Sequence, residues 1–520
     1  MNCCIRRMGL LVAGLILLFA PSAFAQEITL HSANGAISLT GKLLLYNGEY
    51  YRLKTIYGPI TMRALGVTCT GAACPNPAEY AADITISGTR AVTQDLLAGL
   101  LDDFTWSNGL HAQRKFEPDT AWTAFLSDSA RIPVARLQAR ASNSSRAFQD
   151  LIAKKSDMIL TNRPPTAKEA AAANKARLGD ISSRFRQQLL ALDAVVFLVS
   201  PQNPVRSLTL DQIAGIFSGQ ITNWAEVGGI NAPISVLQLS PKTDLAKRFK
   251  AMVFPGKSGP SPVKSRYFMT NREISEAIMK DPLAIGFSGF SGIRNARALA
   301  IRGSCGILQH ASRFSVASGD YPLSFPYLLI TPAKRLPTIA RDFLAYLRGR
   351  RAQTVISNLG FVGLGMMPTA LGKQQDRLNN AIAHSSDEIT LTDLQNMVTA
   401  LGSSRRTTAT FRFQDNATTV DSRALRDVKS LAEMLDSGDF DGHKLIFAGF
   451  SDSKGSADAN QKISQSRAAE VKALVQARAV RTDLSKVRFQ AIGFGEVSPL
   501  ACNDSDTGRK INRRVEVWVK

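Results

Sequence analysis

The hydrophobic period of this chain changes at Pro75-Asn-Pro77, and that change limits what it can fold into more than any other feature. Before it, Ile28-Thr-Leu30, Ile37-Ser-Leu39, Leu43-Leu-Leu45, Tyr50-Tyr-Arg-Leu53 and Ile60-Thr-Met62 are short strand-like runs between turn signals. Asn34-Gly35 and Asn47-Gly48 are two-residue hairpin dipeptides. Residues 26–76 are therefore expected to form a small β module, and no chemistry is assigned to it. From about Asp83, strands alternate with helices. Ile84-Thr-Ile86 leads into a helical run from Val92 to Phe104, and Ala194–Val199 is a buried-strand run. Leu210–Phe217 is a helix opened by Thr209. Such alternation predicts α/β architecture for residues 78–372. A polar helical linker, 373–404, then connects to a last domain, 405–520. That domain opens on the Thr- and Phe-rich stretch Thr408–Phe413 and runs on in a β–α–β–α–β style. The expected class is multidomain α/β with a small N-terminal β module.

The first 25 residues stand apart. Arg6 and Arg7 precede an apolar run from Met8 to Ala20, and Pro21-Ser-Ala-Phe-Ala25-Gln26 offers a small-x-small cleavage site. This is the pattern of a secretory signal cut after Ala25. Four cysteines follow: Cys69, Cys74, Cys305 and Cys502. An even number in an exported chain points to disulfides, with three connectivities open. Cys69 and Cys74 bracket Thr-Gly-Ala-Ala and can close a local bridge, leaving Cys305 and Cys502 to pair across domains or stay free. The five histidines are scattered, so neither a metal site nor a cofactor is expected. The net charge of +21 attracts polyanions. In an exported chain this favours anionic wall polymer or a membrane surface, and nucleic acid is not an expected partner.

Near the C-terminus, Ile463, Val471 and Leu474 recur at helical spacing, and Arg467 falls inside their arc. A guanidinium aimed along an apolar stripe needs an anionic partner or must snorkel out. Asp452, on the loop before the helix, can be that partner, or the two charges can together hold a ligand carrying both signs. The surrounding residues are Phe411-Arg-Phe413, Gly449-Phe-Ser-Asp452-x-x-Gly455, Asn460-x-x-Ile463-Ser464-x-x-Arg467-Ala468, Gly493-Phe-Gly495-Glu496 and Asn512-Arg-Arg514-Val-Glu516-Val517. With them, residues from about 406 to 520 resemble the OmpA-like peptidoglycan-binding domains, which are α/β sandwiches. The resemblance implies that Asp452 and Arg467 hold the diaminopimelate residue of the wall stem peptide, with Asn460 and Arg514 in support. The free end of diaminopimelate is zwitterionic, so an anion and a bidentate cation close together suit it. Ser451 and Ile463 replace the threonine and leucine usual in that family.

The centre of the chain carries Ile84-Thr-Ile-Ser87-Gly88-Thr89, Ser144-Ser145-Arg-Ala-Phe148, Asp157-Met-Ile, Asn162-Arg-Pro164 and Asn203-Pro204-Val-x-x-Leu208. Ile216-Phe-Ser-Gly219-x-Ile-Thr-Asn223-Trp224 and Ala284-Ile-Gly286-Phe287-Ser288 follow. In these residues it resembles the periplasmic phosphate-binding proteins, which implies two α/β lobes with an oxyanion held in the cleft. Hydroxyls and helix N-terminal amides cradle such an anion. By this resemblance Ser87, Gly88 and Thr89 form one cradle, Ser144 and Ser145 a second, and Asp157 accepts the proton of a hydrogen-bearing phosphate. The second lobe departs from the family. Thr243-Asp244-Leu245 stands where a Ser-Gly-Thr turn is usual, and Leu239 where an arginine is usual. Asp244 makes a good N-cap, but a carboxylate there repels phosphate. Lys242, Lys247 and Arg248 are near enough in sequence to compensate.

Ala251-Met-Val-Phe-Pro-Gly256-Lys257-Ser258 fits a loose nucleotide-loop pattern, but Gly259-Pro-Ser-Pro follows where a helix should begin. No nucleophile–base pair stands out, so the chain is not expected to be an enzyme. The expectation is a peptidoglycan-tethered periplasmic binder of phosphate or another small oxyanion, associated with the wall or outer membrane and serving an inner-membrane transporter. The alternative is a structural envelope protein whose central domain docks partners without binding phosphate.

Overall fold

A computed structural model describes residues 27–117, 122–256, 265–374, 377–384, 387–413, 422–480 and 483–520. The signal-like segment, and Lys257 and Ser258 of the loose nucleotide-loop pattern, lie outside the described residues. The N-terminal module is an antiparallel sheet in the order Gly58–Arg63, Tyr50–Thr55, Ser38–Tyr46, Glu27–Ser32, Val67–Thr70. Its small core is Ile28, Leu30, Tyr51 and Leu53. Cys69 and Cys74 form a disulfide beside it. The module touches the central domain where Arg341 meets Glu49 and Arg335 lies 3.5 Å over the Tyr50 ring.

One strand, Gln187–Val199, joins the two halves of the central domain. Its first part pairs with Ser324–Ile330 from Gln187↔Ile330 to Ala194↔Ser324. Its second part pairs with Ala284–Gly289 from Val195↔Gly289 to Val199↔Ile285. All residues from Leu190 to Val199 are buried, as expected for a strand covered on both faces. On one side lie the strands Met158–Thr161, Ala82–Thr89, Pro133–Ser142, Trp122–Ser127 and His111–Lys115; on the other, Ser235–Leu239 and Arg266–Phe268. These are the two lobes. Asp193 is fully buried at the change of partner, where its carboxylate accepts from Ala194 N at 2.8 Å, Ser291 N at 3.1 Å and Ser291 Oγ at 2.9 Å. Burial pushes its pKa up to about 6 against those bonds.

In the first lobe, Ala82–Thr89 runs parallel to both Pro133–Ser142 and Met158–Thr161. Thr89, Ser142 and Thr161 therefore end at one edge. In open α/β sheets that carboxyl edge is where ligands bind.

The C-terminal sheet has the order Thr369–Ala370, Arg405–Arg412, Arg514–Val519, Lys444–Phe450, Arg488–Gly493. Leu445, Phe447, Val515 and Val517 face the helices Ser422–Asp436 and Ala457–Arg478. The alternate residues Ile446, Ala448, Phe450 and Trp518 face Ala381, Met397 and Leu401 on the helices Arg377–Ala383 and Leu391–Leu401. The stretch 373–404, read from sequence as a linker, thus packs as the second cover of this sheet. Gly449 and Gly493 are cross-strand partners beneath the long helix. A Cβ on Gly449 would lie 2.0 Å from Ser464 O, and one on Gly493 2.4 Å from Gln465 N. Both motif glycines are thus required by helix–strand contact.

The C-terminal domain is joined to the central domain covalently and by charge. Cys305 and Cys502 form a disulfide across a sequence separation of 197. Arg406 pairs with both oxygens of Asp320 at 2.7 and 3.2 Å, and Arg412 adds a bond at 2.7 Å. A disulfide closing so long a loop restricts the unfolded chain. Replacing Cys305 and Cys502 by serine should lower the stability of the C-terminal domain by about 2–5 kcal/mol, measured by chemical denaturation under oxidising conditions. The same loss should follow reduction of the native protein.

Candidate functional site

Two polar constellations are built on this frame. The first lies between the lobes. Ser144 opens the helix Ser144–Ile152, which Asn143 caps by accepting from Arg146 N at 3.0 Å. The Ser144 amide and hydroxyl both donate to Oδ2 of Asp244, at 2.6 and 3.0 Å. Ser144 Oγ also lies 3.1 Å from Asn162 Oδ1. Asp244 comes from the second lobe, on the helix Asp244–Val253, whose N-cap is Thr243 and not Asp244 itself. One turn on, Arg248 donates to Asn162 O and lies 4.9 Å over the Phe325 ring. Burial raises the Asp244 pKa, opposed by the Ser144 bonds and by Lys247 and Arg163. Burial lowers that of Arg248. Tyr327, wholly enclosed, is raised well above the usual phenol value by burial, reinforced by Asp193 and Asp244.

The sequence-predicted residues fall into separate places. Thr89 and Ser144 lie at the carboxyl edge, and the Thr89 hydroxyl is buried without a hydrogen-bond partner among the described residues. The Ser87 hydroxyl instead bonds Asp150 at 3.1 Å and also meets Ser156. A Cβ on Gly88 would lie 2.6 Å from Leu160 O, so strand packing demands that glycine. Ser145 is exposed and accepts from Arg163 at 3.2 Å. Asp157 sits at the opposite, amino end of its strand, where it accepts from Thr85 N at 2.8 Å and pairs with Lys334. Asn162, just past the carboxyl end of that strand, is the residue facing Ser144. Strand direction was the signal: only residues following Thr161 reach the cleft edge. Leu239 is buried in the second lobe, and the guanidinium comes from Arg248.

The second constellation is in the C-terminal domain. Asp452 is 5 % exposed, accepts from Lys454 N at 3.3 Å and pairs with Arg513. Arg513 also donates through Nε to Phe413 O at 3.2 Å, and Arg467 lies 4.9 Å over the Phe413 ring. Asp452, Arg513 and Arg467 thus converge on the end of the strand Arg405–Arg412. Asn460 Nδ2 and Ser451 Oγ are buried, with no hydrogen-bond partner among the described residues. Arg514 is elsewhere. Val515 and Val517 face the long helix, so Arg514, Glu516 and Trp518 face the other way. Strand parity was the available signal for Arg513.

On that other face Glu516 accepts from Arg514 at 2.7 Å, Arg377 at 3.0 Å and Trp518 at 3.0 Å, with Arg406 at 3.4 Å. Burial raises the Glu516 pKa, but the guanidiniums more than offset it and hold it at about 2. Burial brings Arg514 down to about 9 in spite of Glu516.

Comparison with known proteins agrees with this division. Residues 118–351 match the family model described as a PBP superfamily domain, and residues 412–513 match the OmpA family. The phosphate-binding protein PstS of Borreliella burgdorferi is 20% identical over 191 residues, covering 36% of this chain and 68% of that protein. PstS of Bacillus subtilis is 25% identical over 189 residues, covering 36% of this chain and 61% of that protein. Outer membrane porin F of Pseudomonas fluorescens is 35% identical over 109 residues, which are 21% of this chain and 32% of the porin. Among solved structures, a putative phosphate transporter substrate-binding protein from Clostridium perfringens with bound phosphate aligns at 21% identity and a TM-score of 0.41. That alignment covers 54% of this chain and 100% of that one. The chain therefore carries a PBP superfamily domain followed by an OmpA family domain. No helix among the described residues is long and apolar enough to cross a membrane.

The Glu516 cluster yields a prediction distinct from ligand binding. Glu516→Gln leaves three guanidiniums facing a neutral group and should cost about 3–5 kcal/mol. The folded-state pKa is depressed, so this stabilisation is complete above the unfolded glutamate value of about 4.3. It is lost as the pH falls through about 2. Denaturation of the two proteins should show a constant gap from pH 7 to about 5 that closes toward about pH 2.

Proposed function

We propose that this protein is a wall-tethered periplasmic solute-binding protein for phosphate or another small oxyanion. The observation that carries the reading is the set of donors meeting between the lobes: the Ser144 amide and hydroxyl, the Thr89 hydroxyl and the Arg248 guanidinium. Such groups form charge-assisted bonds to an oxyanion. The PstS relatives support phosphate as the ligand, since phosphate binding is what their names state. Closure of the lobes over the ligand is the mechanism, and the buried strand Gln187–Val199 is the hinge. Tethering comes from the OmpA family domain. Asp452 and Arg513 offer an anion and a cation side by side, with Arg467 and Asn460 bordering them, and such an arrangement suits the zwitterionic end of diaminopimelate. The protein acts in the periplasm, held at the wall or outer membrane, and delivers ligand to an inner-membrane ABC transporter. A non-catalytic role fits this reading, since the PstS relatives are named for binding phosphate.

A second reading has one observation in its favour. Asp244 already occupies the Ser144 donors, and a cleft sealed in that way suits a docking module that takes no phosphate.

Calorimetric titration of the mature chain with phosphate separates the two. Heat and thermal stabilisation at millimolar phosphate support the binder, and their absence supports the docking module. For the tether, Asp452→Ala and Arg467→Ala should each abolish co-sedimentation with purified peptidoglycan, whereas Glu516→Gln should leave it intact. Retention by both alanine variants would defeat the wall reading.

A further inference from the structure

Asp244 and Ser144 belong to different lobes, yet they share two short hydrogen bonds. Neither residue is engaged in this way by its own helix. Thr243 caps the helix of Asp244, and Asn143 caps the helix of Ser144. The Ser144 amide is therefore a helix N-terminal donor left open for an outside anion, and a side-chain carboxylate from the facing lobe fills it. The surroundings are those of an anion cradle and not of a closed ion pair. Thr89 is 4% exposed, and its Oγ has no hydrogen-bond partner among the described residues. Arg248 Nε is likewise buried without one. Among the described residues no Lys or Arg hydrogen-bonds the Asp244 carboxylate, and Lys247 and Arg163 act on it only at longer range. A carboxylate and a phosphate oxygen compete for the same donors, and two anions at one cradle disfavour each other.

We propose that Asp244 is the resident, intramolecular occupant of the oxyanion cradle, holding the lobes together in the empty protein and yielding its place when phosphate binds. This rests on the reading of the cleft as an oxyanion site. Part of the ligand's binding energy then goes into breaking the Asp244–Ser144 contact, so the wild-type site is weaker than its donor set implies. It also follows that a ligand too weak to displace the carboxylate leaves the lobes latched.

The test uses the mature chain, its Asp244→Ala variant and its Asp244→Asn variant, with inorganic phosphate as probe. Hydrogen exchange of the peptide containing Ser144 is followed without phosphate, and phosphate affinity is measured by calorimetry. The alanine variant should exchange the Ser144 amide faster, and both variants should bind phosphate at least about tenfold more tightly, a difference of about 1.4 kcal/mol. The asparagine variant keeps the side-chain shape and removes only the charge, so a folding defect in the alanine protein does not decide the outcome. Weaker or unchanged phosphate binding in both variants overturns the proposal while leaving the oxyanion reading in place. Unchanged Ser144 exchange in the alanine variant overturns the latch. No heat from phosphate with any of the three proteins defeats the oxyanion reading itself, and the competition with it. Heat with the variants alone supports the proposal.

Discussion

Glu516 is the charge on which the joining of this protein depends. It lies wholly buried on the face of the C-terminal sheet turned away from the long helix, with Arg514, Arg377 and Arg406 around it. Removing a carboxylate from water costs several kcal/mol, and a single partner rarely repays it. Here several guanidiniums do so together, and they are themselves supported by aromatic faces. Arg514 lies 4.2 Å over Phe450, and Arg377 lies 5.3 and 5.4 Å over Phe450 and Trp518. Arg406 extends the cluster out of the domain by gripping Asp320, next to Tyr321, whose hydroxyl donates to Val195 O on the strand Gln187–Val199. One set of charges thus ties the stretch after the PBP superfamily match, the OmpA family sheet and the hinge region into a single frame. The Cys305–Cys502 disulfide makes the joint covalent.

The passage from the helix Asp506–Asn512 into the strand Arg514–Val519 sends neighbouring side chains to two places. Arg513 and Arg514 are neighbours in sequence, yet one meets Asp452 and Phe413 in the candidate wall pocket and the other meets Glu516 on the opposite face. The junction of the helix Asp506–Asn512 with the strand Arg514–Val519 therefore serves both the frame and the pocket. The close glycine contacts act at the same place. Gly449 and Gly493 let the long helix lie directly on the strands, which sets Asn460 and Arg467 over the loop bearing Asp452.

Much of this was legible in the sequence, because local patterning determined it. The hairpin module, the alternation beyond Asp83 and the buried run Ala194–Val199 follow from hydrophobic period and turn residues alone. The OmpA-like spacing likewise singled out Asp452, Asn460 and Arg467, and each of them is buried. What local patterning could not carry was direction and long-range closure. Asp157 and Asn162 lie on the same short segment, and only the parallel register of Met158–Thr161 with Ala82–Thr89 decides which one reaches the cleft. The stretch 373–404 looked polar enough for a linker because, among the described residues, its buried apolar side chains are Ala381, Met397 and Leu401, with partners at 446–450 and 518, while the buried Arg377 reads as a surface charge. Pairing of Cys305 with Cys502 depends on the same distant contacts.

The buried carboxylates Glu516 and Asp244 differ in how well they are compensated, and this difference separates a fixed charge from a displaceable one. Glu516 is held far below the ordinary range by cations whose attraction exceeds its desolvation. Asp244 has its pKa raised, because the donors on it are neutral and the nearest cations act at longer range. A carboxylate in the first situation is costly to move at any pH where the protein works. One in the second situation is held by hydrogen bonds that an incoming oxyanion can take over, leaving Asp244 to return toward water, where its charge is better solvated. On the proposed reading, the departures at Asp244 and Leu239 place a displaceable internal anion on the second lobe. The cation comes one turn further along the same helix, from Arg248. On the proposed exchange, one helix carries both the carboxylate that leaves and the guanidinium that stays.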